Sequence, residues 1–305
     1  FLDDARQADM LIHVVDISGS TDLQGQHVNV GSHDPREDIK FVEEEFDYWF
    51  KQILEREWQK LSKEIEKKST KLADGITDRF SGLGVKVHEV HEVLQSLGLL
   101  TKKPTEWNDS DITKFAQTLR KKIKPMLIAA NKADLCKDLE ITNEIHRNRE
   151  IVNCSAETEL LLKKAAKANL IDYIPGNEKF VINKNVDISS QQKDALNLVE
   201  NVLSKLNSTG IQTALNSAVF RVLKLIVVFP VEDETKLSNK EGEVLPDAKL
   251  LSENATAKNL AETIHQDIAK GFLFAIDAKT KQRIGADHQL KNGDVIKIVS
   301  SLSRG

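Results

Sequence analysis

The sequence predicts an α/β fold: a parallel sheet that carries an all-helical insertion and is followed by a C-terminal β-grasp module. Three observations predict this fold class. Apolar runs occur at residues 10–15, 126–130 and 151–154, the first of them with β-branched residues, and helical patterns alternate with them, as in parallel sheets covered on both faces. A long stretch of helical periodicity separates the first two runs. The last part of the chain instead alternates strands around one helix.

Composition and length set the broad class. The chain has 305 residues, of which 40% are hydrophobic and 30% are charged, so it is long enough for several domains. No apolar run approaches the length of a membrane span, and the start lacks the basic-then-apolar order of a signal peptide. We therefore expect a cytoplasmic protein without a membrane partner. The two cysteines, Cys136 and Cys154, predict reduced thiols, and no metal site is expected.

Charge gives no general case for nucleic-acid binding. The net charge is −4, residues 36–124 hold 18 Lys and Arg against 17 Asp and Glu, and residues 220–305 hold 13 against 12. Neither segment is a basic domain, so DNA is not an expected partner. Any RNA contact would depend on a local cluster of basic residues.

The sheet domain is predicted to comprise residues 1–34 and 125–218. Its first strand, Met10–Val15, follows the end of a helix and contains His13, which we interpret as a core histidine. Asp16 ends this strand. We interpret it as a cap for the following loop, with a functional role as the alternative.

The second half of the sheet domain alternates strands with helices. Strands are predicted at 126–130 and 151–154, and helices at 137–149, about 160–168 and about 191–205. Such alternation implies right-handed crossovers in a parallel sheet. Ligands of such sheets bind beyond the carboxyl ends of the strands, so the loops after residues 130 and 154 are the expected site.

The insertion, residues 35–124, places apolar residues at helical spacing among Glu and Lys. One amphipathic helix is predicted from Ile39 to Lys68, about 45 Å long, and shorter helical patterns follow it. The acidic run at 43–45 is interpreted as a solvated helix face. An aromatic stripe is interpreted as core, and it consists of Phe46, Trp49, Phe50 and Trp58.

Asn131, Lys132, Ala133 and Asp134 directly follow the strand at 126–130. A carboxylate at the fourth position can accept hydrogen bonds from both the ring N–H and the exocyclic amine of guanine, a pair of donors that adenine lacks. The Asn131 amide can bond the base and brace neighbouring loops, and the Lys132 stem can lie over the purine face. The motif predicts a guanine site; turn chemistry in an exposed loop is the alternative.

A second loop supports the same prediction. The strand at 151–154 leads into Ser155 and Ala156. Ser155 is expected to support the loop, and the Ala156 N–H is expected to meet the guanine oxygen. Both motifs stand at the ends of predicted strands, which favours the guanine interpretation over the turn.

A phosphate-binding loop of the form GxxxxGK[ST] is missing from this sequence. The nearest approach, Gly19 to Gly25, has the wrong spacing and is followed by Gln26. The chain also opens with Phe1 on a helical stretch that runs into a strand. We expect a C-terminal part of a longer protein whose phosphate-binding half lies outside this chain, which leaves the first strand as a sheet edge.

Residues 219–305 are predicted to form the β-grasp module. His265 is placed in its helix and interpreted as non-catalytic. The expected elements are strands at Leu223–Pro230, Ala248–Leu251, Phe272–Ile276 and Asp294–Val299 and a helix from Thr256 to Lys270.

With these pieces in order, the chain resembles the archaeal YchF-like GTP-binding proteins of the Obg group, within the translation-factor-related GTPases. The resemblance covers nearly the whole chain. Its C-terminal part is similar to a TGS domain, and the insertion lies between two strands of the GTPase domain as in that family. The residues that carry it are Phe1–Asp16, Ala130–Asp134, Leu245–Asp247, Ala261–Asp267, Lys270–Ile276, Arg283–Gly285 and Leu290–Ile296.

The resemblance implies a partial P-loop GTPase sheet that binds GTP or GDP, with Mg²⁺ in the parent protein. Related proteins that prefer ATP replace the last aspartate of the base-reading motif with glutamate, so Asp134 implies GTP. Hydrolysis is expected to be slow and stimulated by a partner such as the ribosome or by potassium. No catalytic residue and no Mg²⁺ ligand can be carried over to this chain.

The expected partners are a guanine nucleotide and, through the TGS domain and the helical insertion, the ribosome or RNA. The alternative from another class is a non-enzymatic adaptor that binds RNA or the ribosome and keeps a relic nucleotide fold.

Overall fold

The described part of the chain covers most of its length and divides into two compact units, Phe1–Leu215 and Asn216–Gly305. None of the helices in this described part combines the length and apolar character needed to span a membrane. The computed structural model describes residues 2–68, 71–137, 140–146 and 149–302.

A parallel sheet of three strands lies in the first unit, in the spatial order β1–β2–β3. Its strands are β1 (Leu11–Asp16), β2 (Met126–Asn131) and β3 (Glu150–Asn153). The register brings Asp16 opposite Asn131, and Ala130 opposite Asn153. The carboxyl ends of all three strands therefore meet at one edge of the sheet, as predicted for the ligand-binding edge.

β1 is the outer strand of this sheet. Among the described strands it pairs with β2 alone, and Ile12 and Val14, which share one face of the strand, are 39% and 63% exposed. The predicted edge position of this strand is confirmed. Exposed apolar side chains on an unpaired edge are unusual because such an edge can template further pairing.

The helices of the first unit precede, interrupt and follow the sheet. Two short antiparallel strands, β4 (Ile171–Asp172) and β5 (Val181–Ile182), were not predicted. The helices are α1 (Leu2–Gln7), α2 (Pro35–Glu55), α3 (Trp58–Lys68), α4 (Leu72–Arg79), α5 (Val87–Ser96), α6 (Asp109–Ile123), α7 (Glu140–His146), α8 (Ala156–Lys167), α9 (Ser190–Leu206) and α10 (Ile211–Asn216).

Helices α2 to α6 enclose an apolar core of their own. Phe50 and Phe115 are fully buried in it, and the Phe50 ring stacks on that of Phe80 at 5.6 Å. Phe46 is 1% exposed and Trp58 is 7% exposed, so the interpretation of the aromatic stripe as core is confirmed. Each buried aromatic ring contributes a large apolar area to this core.

The prediction of a single long helix over residues 39–68 is wrong. Helix α2 ends at Glu55, Glu57 takes a left-handed conformation with φ of 61°, and α3 starts at Trp58. The turn between them carries no glycine or proline, so the sequence lacks the usual signal for a break. The new direction allows the Trp58 ring to pack on that of Trp107, 4.9 Å away between centroids.

Local capping signals set the helix starts around the insertion. The Asp34 carboxylate accepts the N–H of Arg36 at the start of α2, where Pro35 occupies the first turn. At the start of α6, the Asn108 side chain accepts the N–H of Asp111, whose carboxylate accepts the N–H of Asn108. This reciprocal capping box fixes where the last helix of the insertion begins.

One residue of the acidic run at 43–45 has a structural role. Arg149 donates two hydrogen bonds to the Glu43 carboxylate, at 2.8 and 2.6 Å. Burial alone would raise the pKa of Glu43, but the Arg149 guanidinium outweighs it and lowers that pKa. The interpretation of this run as a purely solvated face is therefore wrong for Glu43, which joins α2 to the residue before β3.

The second unit is a β-grasp fold, as predicted. Its sheet has the order β7–β6–β10–β8–β9, in which the central pair β6 and β10 is parallel and the other pairs are antiparallel. Helix α11 (Ala257–Ile264) packs Leu260 into the core of this unit. The strands are β6 (Leu225–Pro230), β7 (Lys249–Ser252), β8 (Phe272–Asp277), β9 (Arg283–Ile284) and β10 (Asp294–Ser300).

The single helix predicted over residues 256–270 is interrupted. His265 has extended backbone, with φ of −165°, and separates α11 from α12 (Gln266–Lys270). Its Nδ1 accepts the N–H of Asp267, so this histidine caps the start of α12. The placement of His265 inside a continuous helix is therefore wrong. A π-helical turn at Ser217–Val222, which precedes β6, was also not predicted.

Candidate functional site

The two predicted loops lie side by side at the carboxyl edge of the parallel sheet. The Cys154 N–H donates to the Ala130 carbonyl at 2.8 Å, and the Ala133 N–H donates to the Cys154 carbonyl at 3.0 Å. These backbone bonds continue the pairing of β2 and β3 beyond the strands. The Asn131–Asp134 turn and the Ser155–Ala156 loop are therefore held as one surface.

Asn131 connects these two loops through its side chain. Its Oδ1 accepts the Ala156 N–H at 3.0 Å. Because Oδ1 of Asn131 faces Ala156, the NH₂ group of the same amide points away from Ala156. It remains available to donate hydrogen bonds. The sequence predicted the bracing role of Asn131, but it assigned the Ala156 N–H to a ligand, whereas that N–H is bound to Asn131 here.

Asp134 has a half-buried side chain at the end of the turn. Its carboxylate makes no hydrogen bond or ion pair with any residue that the structure describes. A charged carboxylate accepts through both oxygens. Asp134 therefore offers two parallel acceptors that no neighbour in the described ranges uses.

Lys132 adopts a left-handed backbone conformation with φ of 60°, which is uncommon for a residue other than glycine. Its ammonium donates to Asp16 Oδ2 at 2.8 Å, to Thr21 Oγ1 at 3.0 Å and to Ser20 Oγ at 3.1 Å. All three N–H bonds of the ammonium are thus used, and the side chain is stretched from the turn to the loop after β1.

Asp16 is the centre of that loop. Besides Lys132, its carboxylate accepts hydrogen bonds from Ser18, Ser20 and Thr21. Burial alone would raise the pKa of Asp16, but the bonds from Lys132 and the hydroxyls outweigh it and hold that pKa well below its usual range. The carboxylate is therefore charged at neutral pH.

Ser155 is almost fully buried and caps the start of α8. Its Oγ accepts the Thr158 N–H, and its own N–H donates to the Thr209 carbonyl at 2.8 Å. The next residue, Gly210, has φ of 78°, and a Cβ there would overlap the Asn153 carbonyl oxygen. Only glycine allows this segment to approach the end of β3 so closely. The predicted supporting role of Ser155 involves this segment.

Glu159 is a buried carboxylate beneath the Ser155 loop. Only 5% exposed, it accepts hydrogen bonds from Thr209 Oγ1 at 2.5 Å and from the Tyr173 hydroxyl at 2.8 Å. Burial raises the pKa of Tyr173, and the bond to Glu159 raises it further. Through these two bonds, Glu159 ties Thr209 and Tyr173 to α8.

Lys205, near the end of α9, supports the other loop. Its ammonium donates to the Ala133 carbonyl at 3.4 Å and to the Cys136 carbonyl. A cation at these carbonyls keeps the Asn131–Asp134 turn closed. The sequence gives no local signal for this contact, because the two partners are 72 residues apart.

The two cysteines, Cys136 and Cys154, lie beside these loops as buried, reduced thiols. Burial raises the pKa of Cys154 to about 12, which keeps it protonated and unreactive. Among the described residues, no three His, Cys, Asp or Glu side chains are placed to hold a metal ion together.

Comparison with known proteins agrees with this arrangement. Residues 129–233 match the family model of the Obg-like GTPase YGR210-like, G4 motif-containing domain, and residues 242–300 match the TGS domain. The "Uncharacterized GTP-binding protein MJ1332" of Methanocaldococcus jannaschii is 40% identical over 304 residues, which are 99% of this chain and 75% of that protein. The chain belongs to the Obg-like family of GTP-binding proteins.

Two further relatives of this Obg-like protein extend the comparison. The crystal structure of a GTP binding protein from Pyrococcus horikoshii OT3 is 42% identical, with a TM-score of 0.81 over 98% of this chain and 81% of that chain. The "Uncharacterized GTP-binding protein C428.15" of Schizosaccharomyces pombe is 30% identical over 276 residues, 87% of this chain and 66% of that protein. The predicted family, fold and TGS domain are confirmed.

Sequence reasoning missed the residues that support the site of this Obg-like protein. Lys205, Thr209 and Glu159 contact the two loops from later segments, and no local pattern marks them. Asp16 was interpreted as a loop cap with a functional role as the alternative, and in the structure it both caps its loop and binds Lys132. The register of β1 against β2 is the signal that places Asp16 there.

Proposed function

We propose that this protein binds the guanine base of GTP and GDP with Asn131, Lys132, Asp134, Ser155 and Ala156. The unused carboxylate of Asp134 is the observation that carries this proposal. Its two oxygens match the ring N–H and the exocyclic amine of guanine. Adenine lacks this pair of donors, so the preference for guanine over adenine rests on Asp134.

The remaining residues complete the fit to a guanine base. The NH₂ of Asn131 is a donor for the acceptor atoms on the other edge of the base, because its oxygen is bound to Ala156. The methylene stem of Lys132 covers the purine face. Ser155 keeps the loop rigid through Thr209, and the Ala156 N–H reaches the guanine oxygen while it shares its bond to Asn131.

We further propose that the protein hydrolyses GTP slowly and that a partner, the ribosome or RNA, stimulates it. In reactions of this class, Mg²⁺ bridges phosphate oxygens and neutralises the developing charge. We assign no residue of this chain to Mg²⁺ and none to catalysis. The role of this chain is base recognition and, through the helical insertion and the TGS unit, contact with the partner.

Nucleotide titration tests the proposal. GTP, GDP and ATP are titrated into this chain and, in parallel, into a polypeptide extended at its N-terminus, and phosphate release is followed. We expect the extended form to bind GTP and GDP in preference to ATP and to release phosphate slowly. If it neither binds nor hydrolyses GTP, the alternative of a non-enzymatic adaptor is correct.

The partner surface has its own test. Removing residues 216–305, the second compact unit, is expected to leave GTP affinity near that of the intact protein, because the base loops lie in the first unit. The same deletion is expected to abolish stimulation of hydrolysis by ribosomes. If ribosomes still stimulate hydrolysis after the deletion, the partner binds the first unit and not the second.

A further inference from the structure

We propose that Asp16 is a positioning residue of the nucleotide site, which holds the Lys132 ammonium so that the lysine stem is fixed as a platform for the purine. The proposal rests on the proposed function, since it assigns the base-covering role to Lys132. It adds a residue that lies 116 positions earlier in the chain, outside the base-reading motif.

The contacts of the Lys132 ammonium are complete without a ligand. It donates to Asp16, Ser20 and Thr21, all of which lie on the loop after β1. The turn fixes the backbone of Lys132, and the loop after β1 fixes its ammonium. The side chain is therefore held in one extended conformation. The stem, rather than the charge, is then the part of Lys132 that is available to a base.

The two oxygens of Asp16 have different partners. Oδ1 accepts the N–H of Ser18 at 3.1 Å and its hydroxyl at 2.6 Å, so it caps its own loop. Oδ2 accepts from Lys132, Ser20 and Thr21 at 2.7–2.8 Å. Within the described ranges, Oδ1 therefore binds Ser18 of its own loop alone, whereas Oδ2 binds Lys132 together with the two hydroxyls that also contact the ammonium.

The surroundings distinguish this pair from an ordinary surface ion pair. The Asp16 side chain is 12% exposed and that of Lys132 is 31% exposed, whereas solvated pairs contribute little because water screens them. The loop itself is rigidly closed. Gly19 has φ of 62°, a Cβ there would overlap the His33 carbonyl oxygen, and the Gly19 carbonyl accepts the His33 N–H.

The consequence for binding is preorganisation. A free lysine side chain samples many rotamers, and holding it against a base costs conformational entropy. In this protein, folding already orders the Lys132 side chain, so binding does not have to restrict its rotamers. Releasing Lys132 from Asp16 should therefore weaken guanine-nucleotide binding about tenfold.

A double-mutant cycle on the full-length protein tests the proposal, with GDP affinity as the readout. The variants are Asp16→Asn, Lys132→Met and the double variant. An amide oxygen can cap the loop or face the lysine, but it cannot do both, and its NH₂ repels the ammonium. We expect Asp16→Asn to weaken GDP binding about tenfold, and we expect the double variant to bind no more weakly than Lys132→Met.

Ser18→Ala is the matched control, because it removes a partner of Oδ1 and leaves Oδ2 intact. It should lower the stability of the loop and leave GDP affinity unchanged. Lysine side-chain ¹⁵N NMR supplies a second readout: the slowly exchanging Lys132 ammonium signal of the parent protein should disappear in Asp16→Asn and persist in Ser18→Ala. If Asp16→Asn does not fold, Asp16→Ser replaces it in the cycle, because its hydroxyl can still accept the Ser18 N–H but offers Lys132 no carboxylate.

The outcomes separate this proposal from the proposed function. If the effects of Asp16→Asn, or of Asp16→Ser in its place, and of Lys132→Met multiply, or if the Asp16 substitution leaves GDP affinity unchanged, the positioning role is wrong. If Lys132→Met and Asp134→Asn both leave the preference for GDP over ADP unchanged, the base site itself is wrong.

Discussion

Two regions of the first unit are stabilised in opposite ways. The helical insertion is held by buried aromatic and aliphatic side chains, among which Phe50 and Phe115 are fully buried. The loops at the carboxyl edge of the sheet are held by charged and polar contacts around Asp16, Lys132 and Glu159. Apolar burial is non-directional and stabilises the fold, whereas hydrogen bonds fix directions. Mutations in the first region should change stability, and those in the second should change what is bound.

Phe50→Ala should give the largest effect on stability. Removing a fully buried ring from a packed core leaves a cavity, so the free energy of unfolding should fall by about 3–5 kcal/mol. Denaturant titration of the first unit measures it. Phe41→Ala, on the same helix with Phe41 59% exposed, is the matched control and should change stability by less than about 0.5 kcal/mol. Equal effects of the two substitutions would contradict the core assignment.

Asp134→Asn should give the largest effect on binding with little on stability. In the full-length protein, GTP affinity should fall by about 1.5–3 kcal/mol or more, because a charge-assisted bidentate contact is lost. Affinity for xanthosine triphosphate should rise, since the amide can donate to the xanthine oxygen. Calorimetric titration with both nucleotides measures this.

Asp187→Asn removes the same charge from an exposed position and is the control for Asp134→Asn. It should leave both affinities unchanged. Unchanged affinities in Asp134→Asn as well would show that this carboxylate does not read the base.

Thr209→Val tests whether the polar region also contributes to stability. The valine keeps the shape but removes the donor to the buried Glu159 carboxylate, so unfolding should become easier by about 1–3 kcal/mol. Thr105→Val removes a similar bond, to Glu66 at 2.7 Å, from an exposed position and should cost much less. A cost no larger than that of the control would mean that Glu159 does not depend on Thr209.

The dependence of stability on pH should give the smallest effect. Because the folded pKa of Asp16 is lowered, its charge stabilises the fold above the unfolded pKa, and this contribution is lost as pH falls. The difference in free energy of unfolding between the parent protein and Asp16→Asn should stay constant from pH 8 to about pH 5 and shrink by about 1 kcal/mol near pH 3.

Phe41→Ala removes no charge, so its difference from the parent protein should stay constant over the same pH range. If the difference between the parent protein and Asp16→Asn instead widens on acidification, the pKa of Asp16 is raised in the folded protein and not lowered.

Several features of this protein could be predicted from the sequence because they depend on local chemistry. The alternation of apolar strands with helices predicted the parallel sheet and the β-grasp unit. The order Asn131, Lys132, Ala133, Asp134 at a strand end predicted a loop at the carboxyl edge of the sheet, and the aromatic spacing predicted the core of the insertion. Each signal is contained within a few turns or one strand, so no distant contact is needed to detect it.

Other features, which depend on contacts between residues far apart in the chain, were decided only by the tertiary structure. The break at Glu57 carries no glycine or proline and depends on the packing of Trp58 against Trp107. The partner of Lys132 is set by the register of β1 against β2, which brings Asp16 to the end of β2 from 116 residues away. Directional hydrogen bonds between distant segments exist only once the sheet has aligned them, and the local sequence carries no record of that alignment.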